Sequence, residues 1–166
     1  MRIYTDASTR SKISGLGYIA TTSKHTEIQK DGMVINQIDN NTAELQAIIY
    51  AIEETQYLLQ ENEKTIIFTD STYVINAIRN NHYRAEEEPL VKKIQNMMEY
   101  SDYQLFHVKG HCQDGTVLSH FNKKADKMSK FVRKEYEKEL EHTKKEKRLL
   151  AIAKSKLLKD NKDLYF

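Results

Sequence analysis

Two short runs of apolar, β-branched residues mark the most buried parts of the chain. Residues 1–6 and 65–69 show no helical period, and the first run ends on Asp6 while Asp70 directly follows the second. We therefore predict two buried strands, with a helix following Asp70. In open α/β sheets, ligands collect at the carboxyl ends of parallel strands. If the two strands are neighbours, the two carboxylates lie close together.

The region between these runs predicts two further strands. A polar loop is expected at 7–14, a second strand at 15–22 and a third at 26–38, with a turn or bulge at Asp31–Gly32. Three strands in succession without a helix between them indicate an antiparallel meander.

Helical periodicity begins at Asn40 and continues through Leu59, with an apolar stripe that faces the sheet. Glu44 lies on this stripe, one turn before Ile48. The remaining elements are predicted as a helix over 70–80, a helix over 90–100, a strand over 104–108 and a long helical stretch from about residue 120, which is one helix or two joined by a bend. The sum is an α/β fold, a five-stranded mixed sheet flanked by helices.

Length and composition are sufficient for one hydrophobic core. The chain has 166 residues, of which 39% are hydrophobic and 30% charged. We predict one domain over 1–132 and a charged helical C-terminal extension over 133–166.

The single cysteine, Cys112, excludes an internal disulfide and a zinc site built from cysteines. The sequence begins directly with a strand pattern rather than an apolar signal region, and no run is long enough to span a membrane. We expect a cytoplasmic protein with no membrane partner.

Charge is distributed unevenly along the chain. Residues 121–166 hold 15 Lys and Arg against 8 Asp and Glu, whereas residues 1–120 hold 11 against 16. A basic segment following an acidic body suggests a polyanionic partner, although solvated lysine-rich helices are also common.

Four carboxylates stand at positions where chemistry is expected: Asp6, Glu44, Asp70 and Asp126. Each has a structural explanation as well. Asp6 fits a turn, Asp70 a helix N-cap, Glu44 a capping arrangement with the nearby Asn41, and Asp126 an ion pair four residues from Lys130.

Together, these acids indicate a metal site. Like charges brought close raise each other's pKa unless a cation lies between them. Oxygen ligands without a thiolate favour Mg²⁺ or Mn²⁺, and acidic sites of this kind commonly hold two ions that promote phosphoryl transfer.

Of the six histidines, His111 has the most suggestive position. It follows Lys109-Gly110 after the predicted fifth strand, in a loop that could approach the acids and move protons. The alternative is an ordinary solvated histidine. No Gly-x-Ser-x-Gly nucleophile motif accompanies it.

Five motifs follow one another along the chain: Tyr4-Thr-Asp6-x-Ser8, Asn40-Asn-x-x-Glu44-Leu, Phe68-Thr-Asp70-Ser-x-Tyr73-Val, Val108-Lys-Gly-His111 and Asn122-x-x-Ala-Asp126. In this order and approximate spacing they resemble the type 1 ribonuclease H family, over roughly residues 1–132. The resemblance implies a ribonuclease H-like sheet of order 3-2-1-4-5 and hydrolysis of the RNA strand of RNA/DNA hybrids, leaving 5′-phosphate and 3′-hydroxyl ends.

The resemblance also implies roles for individual residues. Two divalent ions, Mg²⁺ or Mn²⁺, would be held by Asp6, Glu44, Asp70 and Asp126, with Asp6 bridging both, and His111 would assist proton transfer or product release. Asn40 and Asn41 would contact the hybrid, with Ser71 and Thr72 beside the same groove. Short amide and hydroxyl side chains suit the 2′-hydroxyls of a wide, shallow minor groove.

Several features depart from the family pattern. Ala7 replaces the usual glycine after the first aspartate, the loop that follows lacks Gly-Pro-rich sequence, and the segment from Cys112 to Phe121 is longer than usual. Asn80–Glu88 is short and acidic where some members carry a basic, aromatic protrusion that grips the hybrid.

The C-terminal extension is the other departure. Residues 134–162 carry leucines among many lysines in an incomplete heptad pattern. This segment would pack on the sheet, self-associate with another chain through its helix, or supply the basic surface that the protrusion provides elsewhere. In the last case, deleting residues 135–166 weakens hybrid binding and flattens its salt dependence.

Two other readings remain open at the level of sequence. One is a catalytically weak hybrid- or RNA-binding module on the same fold, which would have no need of four convergent acids. The other is a different nuclease on this fold, such as a junction resolvase or a DNA-acting integrase. The Lys-Gly-His and Asn-Asn-x-x-Glu motifs favour the ribonuclease.

Overall fold

The structure is a computed structural model that describes residues 1–37, 39–59, 64–110 and 115–162, with side chains up to Ile152. The strands are β1 (Arg2–Arg10), β2 (Ile13–Thr21), β3 (Glu27–Ile35), β4 (Thr65–Thr69) and β5 (Tyr103–His107). The helices are α1 (Asn40–Thr55), α2 (Thr72–Asn80), α3 (Glu88–Tyr100) and α4 (Val117–Lys162), and short 3₁₀ turns occupy Gln56–Leu58 and Ala85–Glu87.

The five strands form one mixed sheet in the order β3-β2-β1-β4-β5. The pairs β1–β2 and β2–β3 are antiparallel, and the pairs β1–β4 and β4–β5 are parallel. The order 3-2-1-4-5 and the antiparallel meander are thereby confirmed. Because β1 and β4 are parallel neighbours, Thr5-Asp6 and Thr69-Asp70 lie at the same edge of the sheet.

Strand β1 is longer than expected. It continues through Asp6 to Arg10 and pairs with β2 up to Ile13, so the expected polar loop at 7–14 is wrong. Only Ser11 and Lys12 form the hairpin turn, both with positive φ. Ala7 lies inside β1 and is not among the residues with positive φ, so the missing glycine causes no strain there.

Smaller differences concern the edges of other elements. Asp31 and Gly32 pair regularly with Tyr18 and Gly17 of β2, so the expected turn or bulge there is wrong, and the irregularity in the β2–β3 pairing lies between Ala20 and Thr21 instead. Helix α4 begins at Val117, earlier than predicted, and is assigned as one continuous helix.

Side chains that alternate along the strands belong to two separate hydrophobic clusters, one on each face of the sheet. Ile3 and Ile67 belong to the large cluster that includes Leu45 and Ile48 of α1 and Val91 and Ile94 of α3. Their neighbours Tyr4 and Phe68 pack instead against Phe121 and Ala125 of α4. Since side chains alternate along a strand, α1 and α3 cover one face of the sheet and the start of α4 covers the other.

The chain forms two compact units, 1–133 and 134–166. The first contains the whole sheet, and the described part of the second is helical. Among the described residues, none of the helices combines the length and the apolar character needed to cross a membrane.

Candidate metal centre

Three of the four predicted acids converge at one edge of the sheet. Asp6 lies within β1, Asp70 directly follows β4, and Glu44 lies in the first turns of α1. One carboxylate oxygen from each lies within 4.8 Å of the others. Asp6 and Glu44 are only 6% and 5% exposed, while Asp70 is half-buried. The cluster is thus enclosed on the protein side and open near Asp70.

The buried acids are electrostatically unfavourable when both carry charge. The pKa of Asp6 is raised to about 7, chiefly by burial and also by the charges of Asp70 and Asp126, while a hydrogen bond from Ser129 and the charge of Lys130 oppose the shift. Burial, and then the charges of Asp6 and Asp70, raise the pKa of Glu44 well above its usual range. Such a cluster retains a proton or binds a cation.

The oxygen atoms present fit a hard divalent cation. Glu44 Oε2 is buried without a hydrogen-bond partner among the described residues, so one ligand position of the cluster is free. The three convergent side chains supply only carboxylate oxygens. Mg²⁺ and Mn²⁺ prefer such ligands, and a cation here would offset the repulsion between the acids.

Each of the three carboxylates also receives a hydrogen bond from a neighbouring side chain. Asn40 Nδ2 donates to Glu44 Oε1 (3.4 Å), Asn122 Nδ2 to Asp70 Oδ2 (3.0 Å) and Ser129 Oγ to Asp6 Oδ2 (2.5 Å). The roles of Asn122 and Ser129 were not predicted. Their spacing of seven residues, which places both on one face of α4, was the available signal.

Asp126 is not one of the three convergent acids. Its Oδ1 accepts from Lys130 Nζ at 2.6 Å, the ion pair that the four-residue spacing predicts. The charge of Asp126 nevertheless acts on the pKa of Asp6, so the fourth acid lies beside the cluster.

The capping explanations for two of the acids are wrong. The N-cap of α1 is Asp39, whose Oδ1 accepts from Thr42 N at 2.9 Å, and not Asn41. The N-cap of α2 is Ser71, which accepts from Val74 N. Glu44 and Asp70 therefore have no capping role, and their carboxylates remain available to the site.

The predicted substrate-binding residues lie at two helix N-termini. Asn40 and Asn41 begin α1, Ser71 is the N-cap of α2, and Thr72 is the first residue of α2. Asn40 and Thr72 are exposed, and Asn41 and Ser71 are half-buried. Helix N-termini favour anionic groups such as phosphates. His111 lies outside the described residues.

A buried charge network that the sequence did not reveal fixes the start of α1. Glu87 is fully buried and accepts hydrogen bonds from Arg84, Thr42 and Tyr73, while Arg84 also binds Asp39 at 2.8 Å. The network ties the short segment that replaces the family protrusion to the helix that carries Glu44.

The sheet order, the helices on both faces and the three convergent carboxylates define a ribonuclease H-like α/β fold. Residues 1–134 match the sequence model of the RNase H family, and the chain belongs to this family. The resemblance drawn from the five motifs is therefore confirmed. No curated protein matches the chain in sequence.

Solved structures share the fold at low sequence identity. LC11-RNase H1, isolated from compost by a metagenomic approach, is 19% identical with a TM-score of 0.67, and the match covers 79% of this chain and 93% of that one. A crystal structure of LC11-RNase H1 in complex with an RNA/DNA hybrid matches equally well, at 19% identity and TM-score 0.67, covering 79% and 94% of the two chains. RNase H1 from Halobacterium salinarum NRC-1 is 16% identical with a TM-score of 0.62, and the match covers 81% and 97% of the two chains.

Proposed function

We propose that the protein is a metal-dependent endonuclease that hydrolyses the RNA strand of RNA/DNA hybrids and leaves 5′-phosphate and 3′-hydroxyl ends. The observation that carries the proposal is the convergence of Asp6, Glu44 and Asp70 within 4.8 Å in a chain of the RNase H family. Support for the substrate comes from LC11-RNase H1, which has the same fold and whose structure contains an RNA/DNA hybrid.

Asp6, Glu44 and Asp70 would hold the cations, Mg²⁺ or Mn²⁺, with Asp126 completing a site for two ions. Ions bound there would supply a water of lowered pKa and stabilise charge on the leaving oxygen. The protein's own part is to hold the carboxylates in place. Asn122 orients Asp70, and Asn40 orients Glu44. His111 would transfer a proton at the reacting phosphate.

Substrate recognition would use the two helix N-termini beside the acids. Asn40, Asn41, Ser71 and Thr72 offer short polar side chains that suit 2′-hydroxyls and phosphate oxygens. Such contacts distinguish RNA from DNA without reading the sequence of the bases. Because the Arg84–Glu87 network fixes the start of α1, these contacts would be made by a preorganised surface.

The decisive experiment compares end-labelled RNA/DNA hybrid, duplex RNA and duplex DNA of one sequence, each with Mg²⁺, Mn²⁺ or EDTA. We expect cleavage of the RNA strand of the hybrid alone, and only with a divalent cation. The new ends should be ligatable at the 5′ side and extendable at the 3′ side. Binding of hybrid without cleavage under every cation would favour a binding module, and cleavage of duplex DNA would favour another nuclease of this fold.

A further inference from the structure

Helix α4 meets the candidate metal centre through a matched set of residues on three elements. Asp6 and Ser8 of β1 lie opposite Gly17 and Gly15 of β2 in the antiparallel ladder. Ser129 of α4 donates to Asp6 Oδ2 at 2.5 Å, and Arg133 Nε, one turn later, donates to Ser8 Oγ at 3.1 Å. Asp6 and Ser8 are two residues apart on one face of β1, and their partners on α4 are four residues apart, on one face of the helix.

The glycine opposite Asp6 permits this approach. A Cβ atom at Gly17 would lie 2.6 Å from the backbone nitrogen of Ser129 and 2.9 Å from the carbonyl oxygen of Ala125. Both distances are far below an ordinary contact, so any other residue at Gly17 would move α4 away from the sheet. The backbone of α4 is therefore held at the distance from which the short Ser129 side chain reaches Asp6.

The hydrogen bond to Asp6 is fully shielded from water. Ser129 is 0% exposed and Asp6 is 6% exposed. The hydroxyl has two acceptors in reach, Asp6 Oδ2 and the Asp126 carbonyl oxygen at 2.9 Å, but only one proton. The shorter contact is to the carboxylate, and hydrogen bonds to charged acceptors are the stronger ones.

We infer that Ser129 is a positioning residue that fixes the rotation of the Asp6 carboxylate, so that Oδ1 is presented to a divalent cation in one direction. The inference rests on the proposed function, because it assigns Asp6 as a cation ligand. Partners that orient ligands in this way contribute directly to metal affinity. A merely structural serine, bonded to the carbonyl three residues earlier in its own helix, would contribute to folding but not to cation binding.

The test is Ser129→Ala, with Thr55→Val as a matched control. Thr55 is also fully buried and its hydroxyl also donates to a carbonyl of its own helix, Ala51 O at 2.6 Å, but it touches no carboxylate of the site. Mn²⁺ affinity is measured by calorimetry on the full chain without nucleic acid, and thermal unfolding is measured in EDTA. We expect Ser129→Ala to bind Mn²⁺ about 10-fold more weakly and Thr55→Val to bind it like the wild type.

Each outcome decides for or against the inference. Weaker Mn²⁺ binding in Ser129→Ala alone supports it, whether or not the wild type cleaves hybrid. Equal Mn²⁺ affinity in Ser129→Ala and wild type overturns it, and cleavage of hybrid by the wild type would then leave the proposed function standing. Wild type that binds no Mn²⁺ also overturns it. Gly17→Ala, which leaves both partners in place but separates them, should weaken Mn²⁺ binding in the same direction.

Discussion

Asn122 Nδ2 donates to Asp70 Oδ2 over 3.0 Å, across 52 positions of sequence. Asn122 is 4% exposed, and its own Oδ1 is buried without a partner among the described residues. Burying an amide oxygen without a partner is unfavourable, so the hydrogen bond to Asp70 has to offset this cost. That hydrogen bond connects α4 to the carboxylate that follows β4, at the place where a cation would bind.

Asp70→Asn should abolish cleavage and leave the fold intact. The substitution removes one negative charge and little volume, and the new amide keeps an oxygen that can accept from Asn122. We expect kcat to fall by at least about 100-fold, since a cation ligand is lost. Cleavage of hybrid and the circular dichroism spectrum are measured together. Retained activity with a native spectrum would remove Asp70 from the mechanism.

Glu44→Gln should remove the stabilisation that divalent cations give the protein. The wild type, with three acids within 4.8 Å, should gain about 2.7 kcal/mol at a cation concentration 100 times its Kd. The variant should show almost none of this gain in Mg²⁺ or Mn²⁺, as measured by unfolding with and without EDTA. Glu99→Gln, an exposed acid on α3, serves as the control. A full shift in Glu44→Gln would contradict the proposed site.

Lys130→Gln should tighten cation binding. Lys130 Nζ pairs with Asp126 Oδ1 at 2.6 Å, so this lysine competes with a cation for the fourth acid. Partly exposed ion pairs contribute up to about 1 kcal/mol, which corresponds to an affinity gain of about two- to fivefold. Mn²⁺ titration is the measurement. Lys138→Gln, which breaks a similar pair with Glu135 further along α4, should leave the affinity unchanged. Weaker binding in Lys130→Gln would show that the lysine supports the site.

Much of the fold was predictable because its signals are local. The apolar runs of β1 and β4 and their Thr-Asp endings placed Asp6 and Asp70 at one edge of the sheet, and the structure places them there. The length of β1 was missed because residues 7–10 are mostly polar. They stay extended because they pair with β2, a tertiary effect that residue type does not encode.

The residues that position the acids were harder to predict than the acids themselves. Ser129 is one of several small polar residues on a charged helix, and only its contact with Asp6 distinguishes it. Glu87 lies in an acidic run that resembles a solvated surface, yet it is fully buried. Its partner Thr42 is 45 positions away. No sequence period links Glu87 with Thr42, so their pairing becomes evident only in three dimensions.

The Arg84–Glu87 network should make stability depend on acid pH. Although burial acts to raise the pKa of Glu87, hydrogen bonds from Arg84, Tyr73 and Thr42 lower it to about 2. In the unfolded chain a glutamate titrates near 4.3. Between about pH 4.3 and pH 2 the unfolded state binds a proton that the native state does not. The contribution of Glu87 to the free energy of unfolding is therefore complete above about pH 4.3 and is lost as the pH falls towards 2.

Glu87→Gln tests this dependence. We expect the free energy of unfolding of the variant to be lower by roughly 1.5–3 kcal/mol at neutral pH, the range for hydrogen bonds to charged groups. Below about pH 4.3 this free energy should decline less steeply than in the wild type. Urea unfolding at several pH values is the measurement. Glu86→Gln, whose exposed carboxylate lies 3.6 Å from the same Arg84, should behave like the wild type. If the free energy of unfolding of Glu87→Gln declines below about pH 4.3 as steeply as that of the wild type, other groups cause the decline.

Three exposed lysines of α4 test whether the C-terminal extension binds hybrid. Lys144, Lys145 and Lys147 lie in the unit 134–166. If each neutralises one phosphate, replacing all three with glutamine should reduce the slope of log Kobs against log[salt] by up to about 2.7. Binding of a catalytically inactive Asp70→Asn background to labelled hybrid is measured across a salt series. Replacing Glu135, Glu139 and Glu141 with glutamine makes the same unit more basic and should tighten binding. A slope unchanged by the lysine substitutions would show that the extension does not contact the substrate.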